Sequence, residues 1–100
     1  MPKILLYITA KIIWQFLIWN TDFNENRPHV HMGKRGTERL CKIWLEPAVE
    51  VAQQGDLTDA QTKEVLTIVS DYREILIHQW TLFKQGKRVR MITVRKTKKE

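Results

Sequence analysis

Residues 58–86 carry apolar side chains at the three- and four-residue spacing of an amphipathic α-helix. Thr58 and Gln61 form a capping-box pattern, in which each side chain can bind the other residue's backbone amide. Gly86 is a natural stop, because glycine readily adopts the left-handed conformation that ends helices. The pattern predicts one long helix, or two with a break near Asp71, whose apolar stripe packs on a sheet. The stripe comprises Val65, Ile68, Val69, Tyr72, Ile75, Leu76, Trp80 and Phe83.

The first half of the chain is rich in β-branched and aromatic residues, which favours strands. Residues 3–9 and 11–19 are two such runs, and Thr9 and Ala10 form a weak turn between them, so we predict a hairpin. The alternation in the second run places Ile12, Trp14, Phe16 and Ile18 on one face and Lys11 and Gln15 on the other.

Further strands are expected at residues 29–32 and 37–45, joined by a turn with two glycines, and residues 48–52 add a brief extended piece. We therefore predict an α+β fold, with a small antiparallel sheet of about four strands packed against one long C-terminal helix, or two. Residues 1–86 are expected to form a single domain, and residues 87–100 a basic C-terminal tail or edge strand.

The lone cysteine, Cys41, indicates a reducing cytoplasm, because a secreted domain of this size often needs several disulfides. Cys41 alternates with Ile43 and Leu45, so a buried, inert thiol is expected rather than a nucleophile. The apolar first twenty residues resemble a membrane anchor, but Lys11 and Gln15 interrupt a run that would need about 18 apolar residues to span a bilayer. We expect no membrane segment.

The formal net charge of +6 is unevenly distributed. Residues 1–86 contain ten basic and ten acidic side chains, whereas residues 87–100 contain seven basic and one acidic. A polyanion should therefore bind first at Lys87, Arg88, Arg90, Arg95, Lys96, Lys98 and Lys99. No sequence-reading motif accompanies them, so binding would be directed at the phosphate backbone. The alternative is a solvated end that only keeps the protein soluble.

His29 and His31 are the candidate catalytic residues. On a strand their spacing of two places both imidazoles on one face, roughly 6–7 Å apart. An acid, a base and the flanking cations Arg27, Lys34 and Arg35 would suit a metal-independent ribonuclease. The alternative is two structural histidines at a strand edge. Metal binding is the weaker interpretation, because Cys41, His78 and Glu46 form no second ligand cluster, so we predict neither a metal nor a cofactor.

The four tryptophans, Trp14, Trp19, Trp44 and Trp80, are expected mainly in the core or at an interface. The alternative is that Trp19 or Trp44 faces outward and stacks on bases or on a partner's side chain. The surplus of large apolar residues on both faces of the first hairpin is better explained by a protein interface or a dimer than by a ligand pocket.

The motif PHVH at residues 28–31, a glycine-containing turn, IWLEPAVEVA at 43–52, and a helix with Trp80 and Phe83 resemble the small bacterial family called domain of unknown function 4160. The opening MPKI is also similar, and the resemblance covers most of residues 1–85. It implies a component of a compact, toxin–antitoxin-like gene pair, beside another short protein. The very apolar first hairpin and the basic tail depart from the family pattern.

The leading functional prediction is a non-catalytic binding or regulatory protein, one half of a two-protein module. It would contact RNA or DNA through Arg27, Lys34, Arg35 and the basic end, and a small protein encoded nearby through its apolar strands. The alternatives are the ribonuclease toxin, with His29 and His31 as its catalytic groups, and a homodimeric scaffold without activity.

Overall fold

The computed structural model describes residues 3–19 and 24–96. Their order along the chain is β1 (Lys3–Ile8), β2 (Ile13–Leu17), β3 (His29–Lys34), β4 (Cys41–Trp44), β5 (Glu50–Gln53), α1 (Asp59–Asp71), α2 (Arg73–Lys84) and β6 (Ile92–Arg95). The α+β class is confirmed, but the described residues form a six-stranded sheet in the order β5-β4-β3-β2-β1-β6, rather than one of about four strands. The sheet is mixed, because β6 runs parallel to β1.

The predicted hairpin is formed by β1 and β2. Ile8 pairs with Ile13, and the turn is closed by Thr9, whose backbone amide donates to the carbonyl of Ile12 at 2.9 Å. The Thr9 hydroxyl oxygen accepts from the Ile12 amide at 2.9 Å, so one threonine binds both backbone groups of that residue. These hydrogen bonds fix the register, and with it the face on which each side chain of β2 lies.

The two helices pack against one face of the sheet. Trp14 Nε1 donates to Glu64 Oε2 of α1 at 3.1 Å, and the rings of Tyr7 and Tyr72 meet edge to face with centroids 5.8 Å apart. The core between the sheet and the helices contains the apolar side chains that were predicted to share one face of the second run. Trp14, Phe16, Ile18, Val30, Met32, Cys41, Ile43, Val65, Val69 and Leu76 have no exposed surface.

The helical region is divided into two helices. Thr58 caps α1 with both halves of the predicted capping box, and α1 ends at Asp71, where the break was predicted. Arg73, the first residue of α2, donates from Nε to the carbonyl of Leu45 at 2.8 Å, which ties the junction to the end of β4. Gly86 has a φ of 72° and follows the end of α2.

The C-terminal segment returns to the sheet as an edge strand. Ile92 pairs with Leu5 and Arg95 with Ile8, so β6 runs along the outer side of β1. Gln79 of α2, which is only 3% exposed, donates from Nε2 to the carbonyls of Ile4 at 3.0 Å and Arg90 at 2.6 Å. The predicted loop residues 20–23 and the cations Lys98 and Lys99 lie outside the described residues.

Within the part of the chain that the structure describes, neither helix is long and apolar enough to cross a bilayer.

Candidate functional site

His29 and His31 lie next to each other on β3, as their spacing predicts. Their ring centroids are 5.1 Å apart, and the ring planes are nearly perpendicular. His29 has no exposed surface, and its Nδ1 lies 2.9 Å from the carbonyl oxygen of Arg27. Its ring also packs against Trp44 and Trp80, with centroid distances of 5.4 and 4.8 Å. His29 is therefore an integral part of an aromatic cluster.

His31 occupies a more open position two residues along the strand. It is half-buried, between the core residues Val30 and Met32 in the strand, and Lys42 of β4 lies directly across from it. The ring of Trp19 meets the His31 imidazole edge to face at 5.7 Å. In this conformation a substrate could reach His31 but not His29, so the geometry offers one accessible imidazole rather than an acid–base pair.

Arg27 belongs to a separate cation–aromatic stack at the start of β3. Its guanidinium carbon lies 4.2 Å from the ring centroid of Trp44, and the ammonium of Lys42 lies 4.5 Å from the same centroid. Arg27 forms an ion pair with Glu50 at 3.3 Å, and Lys42 forms one with Glu25 at 3.8 Å. Both cations already have carboxylate partners, which makes them weaker candidates for phosphate contact.

The structure brings Lys34, Arg35, Arg95 and Lys96 to one end of the sheet, and adds Lys11 to them. Lys34 pairs with Trp14, and Arg95 with Ile8, at the ends of strands joined by the turn that carries Lys11. Lys11, Lys34 and Arg35 line one shallow groove. We call these five exposed residues the cationic end. Because β3 and β6 are three strand positions apart, the cationic end is roughly 14 Å wide.

No acidic side chain of residues 3–19 or 24–96 forms an ion pair with the cationic end. Lys96 lines a groove with Glu64 and Asp71 on the helical side. These two carboxylates offset part of its positive potential. Sequence reasoning missed Lys11 because it treated the C-terminal cations as one group. The sequence could have indicated Lys11, because the predicted hairpin turn that carries it and the turn after β3 lie at the same end of the sheet.

Lys87, Arg88 and Arg90 lie at the opposite end of β6 and are exposed. The carbonyl of Arg90 is tied, through Gln79, to the backbone of Ile4 at the start of β1. Among the described cations of the predicted basic end, β6 therefore separates two groups, and Arg95 and Lys96 are the ones that join the cations of the two turns.

A cleft of about 350 Å³ opens beside the cationic end, on the sheet face opposite the helices. It is lined by Gln15, Leu17, Trp19, Gly33, Lys34, Arg35, Gly36, Thr37, Glu38 and Leu40. Side chains from β2 form one wall, and the segment between β3 and β4 forms the other. The cleft thus combines the apolar side chains of Leu17, Trp19 and Leu40 with the cations Lys34 and Arg35.

Cys41 is buried, as its alternation predicts, and burial raises the pKa of its thiol to about 11. The thiol is protonated at neutral pH, so it is a poor nucleophile and a poor metal ligand. No group of three or more His, Cys, Asp or Glu side chains that could hold a metal ion occurs among the described residues.

The family model described as "Domain of unknown function (DUF4160)" matches residues 14–81. The chain belongs to this family. The matched region extends from β2 to α2 and includes PHVH and the cleft residues from Leu17 to Leu40, whereas β1 and β6 lie outside it. No curated protein and no solved structure matches the chain.

Proposed function

We propose that this DUF4160 protein binds the phosphate backbone of a nucleic acid through its cationic end, as the binding component of a two-protein, toxin–antitoxin-like module. The observation that carries the proposal is the meeting of Lys11, Lys34, Arg35, Arg95 and Lys96 on three separate segments, without ion-pair partners among the described residues. Cations arranged in this way can replace the counterions of several phosphates.

The width of the cationic end is consistent with this role. Phosphates follow one another at about 3.4 Å per strand along a duplex axis, so a surface roughly 14 Å wide spans about four of them. The five cations lie on turns and strand ends rather than on a helix, which favours contacts with the backbone over base-reading contacts in a groove.

The test compares two matched pairs of substitutions in a gel-shift assay. Lys34→Ala/Arg35→Ala removes two charges from the cationic end, and Lys87→Ala/Arg88→Ala removes two charges from the opposite end of β6. We expect the first variant to bind a random-sequence oligonucleotide at least about tenfold more weakly than the second. Equal losses would show that binding follows net charge rather than this surface.

Substitution is a cleaner test than deletion after Gly86. Deletion would remove β6, and the edge of β1 would be exposed along with the loss of charge. A truncated protein that failed to bind would therefore not distinguish lost phosphate contacts from a damaged sheet.

For the partner protein we propose the side of the hairpin that faces away from the helices. Ile13 is 47% exposed there, beside the half-buried Ile8 opposite it. Co-purification with the product of the neighbouring gene, followed by loss of the complex in an Ile13→Glu variant, tests this surface. Sedimentation of the protein alone distinguishes a heteromeric partner from a second copy of the chain.

The ribonuclease remains the second candidate, and the accessibility of His31 beside Lys42 is the observation that favours it. It predicts that His31→Ala abolishes RNA cleavage while the variant stays folded. If the wild-type protein does not cleave RNA, the ribonuclease hypothesis is wrong, and the proposal of phosphate binding by the cationic end is unaffected.

A further inference from the structure

The cleft next to the cationic end has the dimensions of a site for one aromatic ring system. Its volume of about 350 Å³ lies at the lower end of the range for small-molecule sites, roughly 300–1,000 Å³. A base pair within a duplex is stacked on both sides and would not fit such a cleft, whereas an unpaired base can rotate into it.

The position of one wall of the cleft depends on Gly33. A Cβ atom at this position would lie 2.9 Å from Cδ2 of Leu40 and 3.0 Å from Cβ of Thr37. Because Gly33 has no side chain, Thr37 and Leu40 pack directly on β3, at the position paired with Gln15. A larger residue here would displace these two lining residues and so change the wall of the cleft.

The walls of the cleft provide stacking and hydrogen bonding. Leu17 at the end of β2 and Trp19 just after it contribute apolar surface, and Leu40 contributes it from the opposite side. Gln15 makes no side-chain hydrogen bond to residues 3–19 or 24–96, and its amide can both donate to and accept from the edge of a base. Glu38, also on the wall, offers an acceptor for an exocyclic amino group.

The charges at the rim indicate which class of ring would bind. Lys34 and Arg35 stand where the cleft meets the cationic end, so a ligand with a ring in the cleft and a phosphate attached would be held at both points. Two cations outnumber the single carboxylate of Glu38. A neutral aromatic metabolite would leave Lys34 and Arg35 unused, whereas a nucleotide uses both parts of the site.

We infer that the cleft bounded by Trp19, Gln15 and Leu40 receives an unpaired base of a single-stranded nucleic acid, whose phosphates lie on Lys34 and Arg35. This inference rests on the proposed function and specifies its substrate. Base stacking supplies affinity that a duplex, with its bases already stacked, cannot gain.

The experiment measures fluorescence anisotropy with labelled single strands of roughly 12 nucleotides, as RNA and as DNA, and with the corresponding duplexes, at about 50 mM salt. We expect the single strands to bind more tightly than the duplexes. Trp19→Leu should weaken single-strand binding by roughly 5- to 150-fold, the range for one stacked base, and leave duplex binding unchanged. Gln15→Glu should weaken single-strand binding in the same direction, because it adds a second carboxylate to the cleft.

Trp44→Leu is the matched control, because Trp44 lies outside the cleft and its ring is already covered by Arg27 and Lys42. It should leave both affinities unchanged. Circular dichroism establishes that each variant is folded before its affinity is compared. If folded Trp19→Leu and Gln15→Glu bind single strands as the wild type does, or if duplexes bind equally well, the cleft inference is overturned and phosphate binding by the cationic end survives. If no oligonucleotide binds, both proposals are overturned.

Discussion

The imidazole rings of His29 and His31 meet edge to face with centroids 5.1 Å apart, yet only His31 keeps part of its surface in solvent. Two histidines two residues apart on one strand thus have different roles. His29 fills space between Trp44 and Trp80 and binds the Arg27 carbonyl, whereas His31 borders the open face of the sheet.

This difference should appear in the free energy of unfolding. His29→Ala removes a fully buried ring and leaves a cavity among aromatic side chains, so we expect a loss of about 2–4 kcal/mol. His31→Ala, at a half-exposed position on the same strand, is the control and should cost less than about 1 kcal/mol. Urea unfolding followed by tryptophan fluorescence gives both values. Equal costs would contradict the structural role assigned to His29.

Gly55 should be far less tolerant of a side chain than Gly86. Both have positive φ, 63° and 72°, so alanine is strained at either position. At Gly55 a Cβ would also clash with the backbone oxygen of Arg39, whereas at Gly86 it would meet nothing within 4 Å. We expect Gly86→Ala to cost about 1 kcal/mol and Gly55→Ala at least about 1 kcal/mol more. Thermal unfolding of the two variants measures the difference, and equal melting temperatures would contradict the close approach.

Asp56 should make stability depend on pH in the acidic range. Hydrogen bonds from the backbone amide and guanidinium of Arg39 lower the pKa of this carboxyl below its ordinary value of 3.8. Because the folded pKa is the lower one, the stabilisation is present above the unfolded value and is lost as the pH falls through the folded value.

Melting temperatures of the wild type and Asp56→Asn, measured from about pH 7 to about pH 2, test the direction of this pH dependence. The wild-type advantage should be largest at neutral pH and should shrink as the carboxyl is protonated. Arg39→Gln should also reduce the pH dependence, because it removes the guanidinium from Asp56. An advantage that grew as the pH fell would contradict the assignment.

The helices and strands whose position depends on a local residue pattern could be predicted from the sequence. The alternation of Trp14, Phe16 and Ile18 identified the buried face of β2, and Thr58 with Gln61 identified the start of α1. These features depend on residues within a few positions of one another, where steric and hydrogen-bonding preferences act directly.

The rest depends on contacts between distant segments. Nothing near Ile92 indicates that it pairs with Leu5 in parallel, a contact that also divides the C-terminal cations into two groups. Histidine is both polar and aromatic, so spacing alone could not tell that His29 is buried. The cleft is lined by Trp19 after β2, Gly33 of β3 and Leu40 before β4, and only the strand order brings these segments together.

The salt dependence of oligonucleotide binding tests the cationic end most directly. Each phosphate contact contributes about −0.7 to −0.9 to the slope of log K against log salt concentration, so Lys34→Ala/Arg35→Ala should make the slope shallower by about 1.4–1.8. Lys87→Ala/Arg88→Ala should leave it nearly unchanged. A wild-type protein that ignores RNA and DNA in dilute buffer, or a slope that is the same in all three proteins, would contradict the account.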